Sequence, residues 1–199
     1  MDLPIYKVTI DDFTGVEAIA IVDSPAIEVG YQRYSKQKTM QFSIQEEKRV
    51  LSGPIMIADL PIYRFNEAIG EHYVMFDAQV IADIVQKFFR EGRQLSINLQ
   101  HDPSMVVTSS YFFESFIINR ERGVMPPKGY EKLADGSWFG SLKVDDERVW
   151  KVVRDEQFKG FSIEGLFNHE LLSMKKEESV DSIFNAIARL VDEALTEEN

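Results

Sequence analysis

Hydrophobic and polar residues alternate over much of the chain, a pattern typical of half-buried β-strands. Glycine, proline and aspartate interrupt the alternation at short intervals and mark turns. Residues 59–66 are expected to form a loop, and Gly53-Pro54 indicates a bulge or a corner at which a sheet can close. Strands are predicted at residues 4–10, 16–22, 40–44, 50–57, 72–76, 95–101, 105–118, 138–144 and 160–167.

Three segments instead carry apolar residues at helical spacing. They predict helices at 77–91, 146–157 and 179–195, the first two beginning at aspartate caps. The third keeps close to a heptad spacing, so it either docks on the core or pairs with another chain as a homo-oligomer. Many short strands and few helices predict an α+β fold, a mainly antiparallel and partly closed β-barrel flanked by helices. We assign residues 1–168 to this domain and 169–199 to an acidic helical tail.

Composition narrows the functional classes. The 199 residues are 44% hydrophobic with 14 phenylalanines, as in globular proteins. No apolar run approaches the roughly 20 residues of a spanning helix, and the N-terminus begins no signal peptide, so a cytoplasmic location is expected. A net charge of −11 argues against nucleic-acid binding. The chain has no cysteine and only three histidines without zinc-site spacing, so no metal or cofactor is expected.

One serine lies inside a strand bracketed by glycines, in Gly160-Phe161-Ser162-Ile163-Glu164-Gly165. Alternation places Ser162 and Glu164 on the face opposite Phe161 and Ile163. The Ser162 hydroxyl is then either a nucleophile or a polar group on a partly solvated sheet face. Glu164 either lines a substrate cleft beside it or faces solvent.

A base for such a nucleophile is available at the end of another strand, Leu95 to His101. Alternation puts His101 on the face of Leu95, Ile97 and Leu99, at the end of a buried row. Neutral imidazole has a suitable pKa to accept a serine proton near pH 7. A turn histidine that bonds to local backbone is the alternative. His72 lies in no recognisable motif.

The order of these motifs resembles the prohead, or capsid maturation, serine proteases of tailed phages. The resemblance rests on His101-Asp102, Glu114-Ser115-Phe116, Asp135 to Asp146 and Gly160 to Gly165, together with an opening segment at residues 15–27. It covers nearly residues 3–168. It is closest to the subgroup typified by the XkdF proteins of defective prophages, and the wider family is similar in fold to herpesvirus assemblin.

The resemblance implies a serine endopeptidase that cleaves scaffold protein and major capsid protein inside an assembling procapsid. It implies Ser162 as the nucleophile and His101 as the general base, within about 2.6 to 3.5 Å of each other. Glu114, a carboxylate among aromatic residues, is expected beside the other imidazole nitrogen. Asp102 and His169 are the alternatives for that third position.

The alternative hypothesis is a protein with the same fold but no catalytic activity. In it the chain is a capsid assembly or scaffold-binding protein that uses the helix predicted at residues 179–195 as its partner site. Residues 170–199 hold eight acids and three bases. This reading leaves His101 and Ser162 without a role.

Overall fold

The computed structural model describes residues 3–25, 41–155 and 158–172. These residues form two α-helices, α1 (Ala78–Arg90) and α2 (Glu147–Arg154), and short 3-10 turns at Glu46–Lys48 and Arg93–Leu95. The strands are β1 (Ile5–Thr9), β2 (Gly15–Val22), β3 (Ser43–Gln45), β4 (Val50–Met56), β5 (Ile62–Asn66), β6 (Gly70–Met75), β7 (Ile97–Leu99), β8 (Asp102–Val106), β9 (Ser110–Ile117), β10 (Trp138–Val144), β11 (Gly160–Leu166) and β12 (Asn168–Leu171).

The strands of the described residues pair into three four-stranded sheets, with orders β12-β1-β6-β5, β3-β4-β10-β9 and β11-β2-β7-β8. We name them sheets I, II and III. Seven of their nine ladders are antiparallel, and only β1–β6 and β2–β7 are parallel. A mainly antiparallel α+β fold is therefore confirmed. The ladders of the described residues do not close into a barrel, so the partly closed barrel is not confirmed.

The apolar faces of the sheets and helices meet in one main core. Alternation along β2 buries Ile19 and Ile21 completely, and α1 lies against this strand. The Phe161 ring in β11 packs against Phe42 and Phe112, at centroid distances of 5.5 and 5.2 Å. Sheets II and III are thus joined through aromatic side chains.

Both helices begin where their capping residues predict. Asp77 accepts a hydrogen bond from the Val80 amide at 2.8 Å, and Asp146 accepts from the amides of Arg148 and Val149. Buried apolar residues recur along α1 at helical spacing. The helix predicted at 179–195 lies outside the described residues.

Three predicted elements differ from the structure. The segment expected to be a loop at residues 59–66 contains β5, which pairs with β6 as a hairpin. The strand predicted at 95–101 ends at Leu99, and the one predicted at 105–118 is divided into β8 and β9 by Ser109, which has a positive φ of 63°. Both breaks occur where residues other than glycine adopt a left-handed backbone conformation. Such residues give no turn signal in the sequence, so the strands were predicted to continue.

The boundary predicted between the domain and the tail, after residue 168, falls inside β12, the last described strand. Strand β12 pairs antiparallel with β1, with His169 opposite Val8, so residues 169–171 are part of sheet I. No α-helix among the described residues has the length and apolar character needed to span a membrane.

One side chain ties α1 to the loop between β1 and β2. Lys87 Nζ donates hydrogen bonds of 2.7 to 2.8 Å to three carbonyl oxygens, those of Asp11, Asp12 and Thr14. Its side chain is 13% exposed, and the bond to the Thr14 carbonyl is partly buried. This ammonium group fixes the turn that delivers the chain into β2.

We expect Lys87→Met to lower the free energy of unfolding by about 1–3 kcal/mol, since hydrogen bonds to a charged donor are lost while the side-chain stem is kept. Urea denaturation followed by circular dichroism measures the change. Lys132→Met, which removes the same charge at an exposed position, is the control. Equal stability of the two variants would contradict this role for Lys87.

Candidate active site

The candidate site lies on the face of sheet III that points away from the main core. Strand β2 is hydrogen-bonded to β11 on one side and to β7 on the other. Its Ala20 is the register partner of both Ser162 in β11 and Asn98 in β7. These three residues therefore stand in one row across the sheet, with their side chains on the same face.

Ser162 is held firmly in this row. Its neighbour Phe161 is 1% exposed and anchors the other face of β11 in the core. Ser162 itself is 8% exposed, and its hydroxyl meets the imidazole of His101, with 3.0 Å between Oγ and Nε2. The distance expected from the sequence, 2.6 to 3.5 Å, is confirmed.

His101 reaches the serine from a tight turn. Gln100 and His101 form a two-residue connection between β7 and β8, closed by the pair Leu99 and Asp102. Both turn residues have positive φ, 55° and 59°, as in the type I′ turns that suit the twist of a hairpin. The prediction that His101 continues the buried row of its strand is wrong, because the left-handed backbone at the turn redirects the side chain. The imidazole is 41% exposed.

The other imidazole nitrogen faces Glu164. The distance from His101 Nδ1 to Glu164 Oε2 is 3.6 Å, and Asn98 Nδ2 donates a hydrogen bond of 2.6 Å to the same oxygen. Asn98 is 6% exposed, so this amide is a buried anchor for the carboxylate. Ser162, His101, Glu164 and Asn98 form a connected polar group on one sheet face.

This arrangement has the elements of a serine nucleophile with its base. For Nε2 to accept the Ser162 proton, the neutral imidazole must carry its own proton on Nδ1, which faces Glu164. A negative carboxylate there favours the imidazolium that forms when the serine is deprotonated. The geometry therefore suits acyl transfer to Ser162.

Glu114 lies elsewhere. Its Oε2 accepts a hydrogen bond of 2.5 Å from Ser141 Oγ, which also lies 2.8 Å from Ser52 Oγ. These residues belong to β9, β10 and β4 of sheet II, whereas His101 lies in the turn between β7 and β8 of sheet III. The expectation that Glu114 sits beside the imidazole is wrong. Glu114 is solvent-exposed, and its carboxylate is held by the Ser141–Ser52 pair and not by the histidine.

The two alternatives for the third position also take other partners. Asp102 accepts hydrogen bonds from the amide and hydroxyl of Ser104, at 2.8 and 2.7 Å, and these bonds lower the pKa of the Asp102 carboxyl. His169 lines the cleft beside His101 without a hydrogen bond to it among those of the described residues. His72 is buried, its Nδ1 donates a hydrogen bond of 2.9 Å to the Gly70 carbonyl oxygen, and its ring packs edge-on against Tyr6.

A cleft of about 390 Å³ adjoins the imidazole and separates sheet I from sheet III. Sheet I contributes Arg64, His72 and His169, and sheet III contributes His101 and Glu164. Apolar residues such as Val74 and Phe167 complete the walls. The polar side chains of the cleft converge beside His101, whose imidazole connects the cleft to Ser162.

The family model described as "Putative phage serine protease XkdF" matches residues 45–170. The chain belongs to this family. The matched range contains His101, Ser162, Glu164 and the whole lining of the cleft except Val8. No curated protein and no solved structure matches the chain.

Membership of the phage serine protease family confirms the resemblance inferred from the sequence at that level. The relation to assemblin stays a prediction. Two residues of the polar group, Glu164 at the imidazole and Asn98 behind it, were not assigned from the sequence. Alternation did place Glu164 on the same face of β11 as Ser162. Its contacts with Asn98 and His101 could not be predicted, because they depend on β7 pairing with the other side of β2.

His169 offers a pH-dependent test of the cleft. Burial, and secondarily the positive charge that His72 can carry, lower the pKa of His169 from its ordinary value of 6.5. Because the unfolded chain then binds this proton more strongly, the free energy of unfolding falls as the pH drops through 6.5.

We expect an NMR titration of the imidazole to place the His169 midpoint below 6.5 and His72→Asn to raise it, since that substitution removes the neighbouring charge. His169→Asn should flatten part of the decline in stability on acidification. A His169 midpoint at or above 6.5 contradicts its placement in the cleft beside His72.

Proposed function

We propose that the protein is a serine endopeptidase that processes scaffold protein and major capsid protein during phage procapsid maturation. The hydrogen bond of 3.0 Å between Ser162 Oγ and His101 Nε2 is the observation that carries the proposal. Membership of the phage serine protease family supports it independently. The site of action is the interior of the assembling procapsid in the host cytoplasm.

In the proposed mechanism His101 Nε2 removes the proton from the Ser162 hydroxyl as Oγ attacks the scissile carbonyl carbon. His101 then transfers this proton to the leaving amine, and the peptide bond breaks to give an acyl-enzyme. A water molecule, deprotonated by the same nitrogen, attacks the ester and releases the second product with Ser162 restored. No cofactor or metal takes part.

Glu164 takes the role that Glu114 was expected to have. Its carboxylate faces Nδ1 at 3.6 Å, from which it stabilises the imidazolium and keeps the proton on that nitrogen. Asn98 is a positioning residue, because its amide holds the carboxylate from behind. Closure of the cleft around a substrate would shorten the contact, as catalytic hydrogen bonds are often long in free enzymes.

An extended substrate segment suits the sheet edge next to the base. Strand β8 follows His101 directly, is the last strand of sheet III, and exposes residues 103–106. A peptide that adds to this edge would run past the imidazole. The assemblin-like relation and homo-oligomer formation through the helix predicted at 179–195 belong to the same proposal.

We expect Ser162→Ala and His101→Ala each to reduce processing at least about 1000-fold, because neither half of the pair acts alone. Co-expression with the phage's own scaffold and capsid proteins, followed by mass spectrometry of the cleaved products, measures this. Ser43→Ala, at an exposed serine of β3, is the control and should process normally.

Undiminished processing by Ser162→Ala would refute the endopeptidase proposal. It would favour the non-catalytic reading, in which the chain binds scaffold protein during assembly. Deleting residues 173–199 then separates the two, since only a scaffold-binding protein that uses this segment would lose its partner.

The two glutamates give a matched test of the third role. We expect Glu164→Gln to lower kcat at least about tenfold with little change in KM, since it removes the charge beside the imidazole but keeps an acceptor for Asn98. Glu114→Gln should leave kcat unchanged. The reverse result would return the third role to Glu114.

A further inference from the structure

Arg64 is a cation in the cleft that the proposed mechanism does not use. It lies in β5 directly opposite His72, so both side chains project from the same face of sheet I toward the cleft. Burial lowers the pKa of the Arg64 guanidinium. Nη1 donates one hydrogen bond, of 2.9 Å, to the Tyr63 carbonyl oxygen.

No carboxylate of residues 3–25, 41–155 or 158–172 pairs with this guanidinium. The ion pairs found there join other residues, and the one acidic side chain in the cleft wall, Glu164, is engaged by Asn98 and His101. A guanidinium has five N–H donors, and among the described residues Arg64 uses one hydrogen bond, to the Tyr63 carbonyl oxygen. The remaining donors are available to a ligand in the cleft.

The surroundings of Arg64 favour an anionic acceptor. His72 and His169 line the same cleft and add no negative charge to it, while the net charge of the protein is strongly negative. The planar fork of a guanidinium matches the two oxygens of a carboxylate. The cleft also reaches His101, so Arg64 and the proposed general base line one cavity.

We propose that Arg64 binds the carboxylate of an acidic side chain within a few residues of the scissile bond, and so selects substrates. This inference rests on the proposed function for its substrate, a peptide. It adds the class of sequence that the peptide must contain: aspartate or glutamate near the cleavage site. Arg64 touches the substrate but not the reacting atoms.

The first experiment reads specificity from cleavage. A proteome-derived peptide library is digested with the full chain, and the cleavage sites are mapped by mass spectrometry. Acidic residues should be enriched at one position. A synthetic pair of the best peptide, with glutamate or glutamine at that position, should differ roughly 10- to 100-fold in KM with similar kcat.

Variants then link the preference to Arg64. Arg64→Gln should abolish the difference between the glutamate and glutamine peptides, and Arg64→Lys should restore part of it because the charge returns without the fork. Arg122→Gln, which removes a charge at an exposed site, should keep the full preference. Thermal unfolding checks that each variant is folded. An unchanged preference in folded Arg64→Gln, or no acidic preference in the wild type, overturns the inference.

The second experiment does not need cleavage. In the Ser162→Ala protein, N-acetylglutamate-N-methylamide should shift the NMR signal of the Arg64 guanidinium, and the glutamine analogue should not. N-acetylalanine, which carries only a terminal carboxylate, tests the other source of this group; a shift from it alone overturns the assignment to a side chain.

The two experiments separate the two proposals. Arg64-dependent binding of the glutamate probe without any peptide cleavage would sustain the carboxylate site and refute the endopeptidase. Peptide cleavage that does not change in the Arg64 variants would support the endopeptidase and refute the carboxylate site.

Discussion

The site depends on the small side chains of β2. Strands of a sheet lie about 4.8 Å apart, so β11 and β7, on either side of β2, are separated by about 10 Å. Glu164 and Asn98 bridge that gap with a hydrogen bond of 2.6 Å, and they must do so above β2. Their register partners there are Ala18 and Ala20. A larger residue at either position would fill the space in which the polar side chains meet.

The same strand serves the core with its other face. Ile19 and Ile21 are fully buried against the helix and the neighbouring sheets, while Ala18 and Ala20 form the floor of the site. The alternation of isoleucine and alanine in β2 thus has two physical reasons, packing on one side and clearance on the other. The family match begins at residue 45, so it does not include this floor.

Glycine fixes the far end of the serine strand. The register of β11 on β2 shifts after Glu164, and a Cβ at Gly165 would lie 1.9 Å from the Gly15 carbonyl oxygen. Only glycine permits this close approach of the two backbones. The shift follows the last residue that faces the site, so the irregularity leaves the side chains of Ser162 and Glu164 on one face.

Local signals in the sequence predicted the helices and most strands, since caps such as Asp77 and apolar periodicity act within a few residues. The Ser162–His101 pair was predicted because its motifs occur in the order typical of a known family. The sequence alone does not show that the two strands lie side by side. The turn at Gln100 and His101 escaped prediction, because neither residue has the asparagine or glycine signature of left-handed backbone. Glu114 was predicted as the third residue because of its aromatic neighbours. Glu164 instead reaches the imidazole because β11 pairs with β2, a strand far away in the sequence.

The central position of β2 also has a kinetic consequence. It is among the first strands to be synthesised, and it pairs with β7 through residues almost 80 positions later and with β11 through residues about 140 positions later. Contacts of such separation form late in folding, because the entropy of closing long loops must first be overcome. The constellation around Ser162 therefore cannot exist in a nascent or partly folded chain. Any chemistry of this group is therefore delayed until synthesis has passed residue 166 and sheet III is complete.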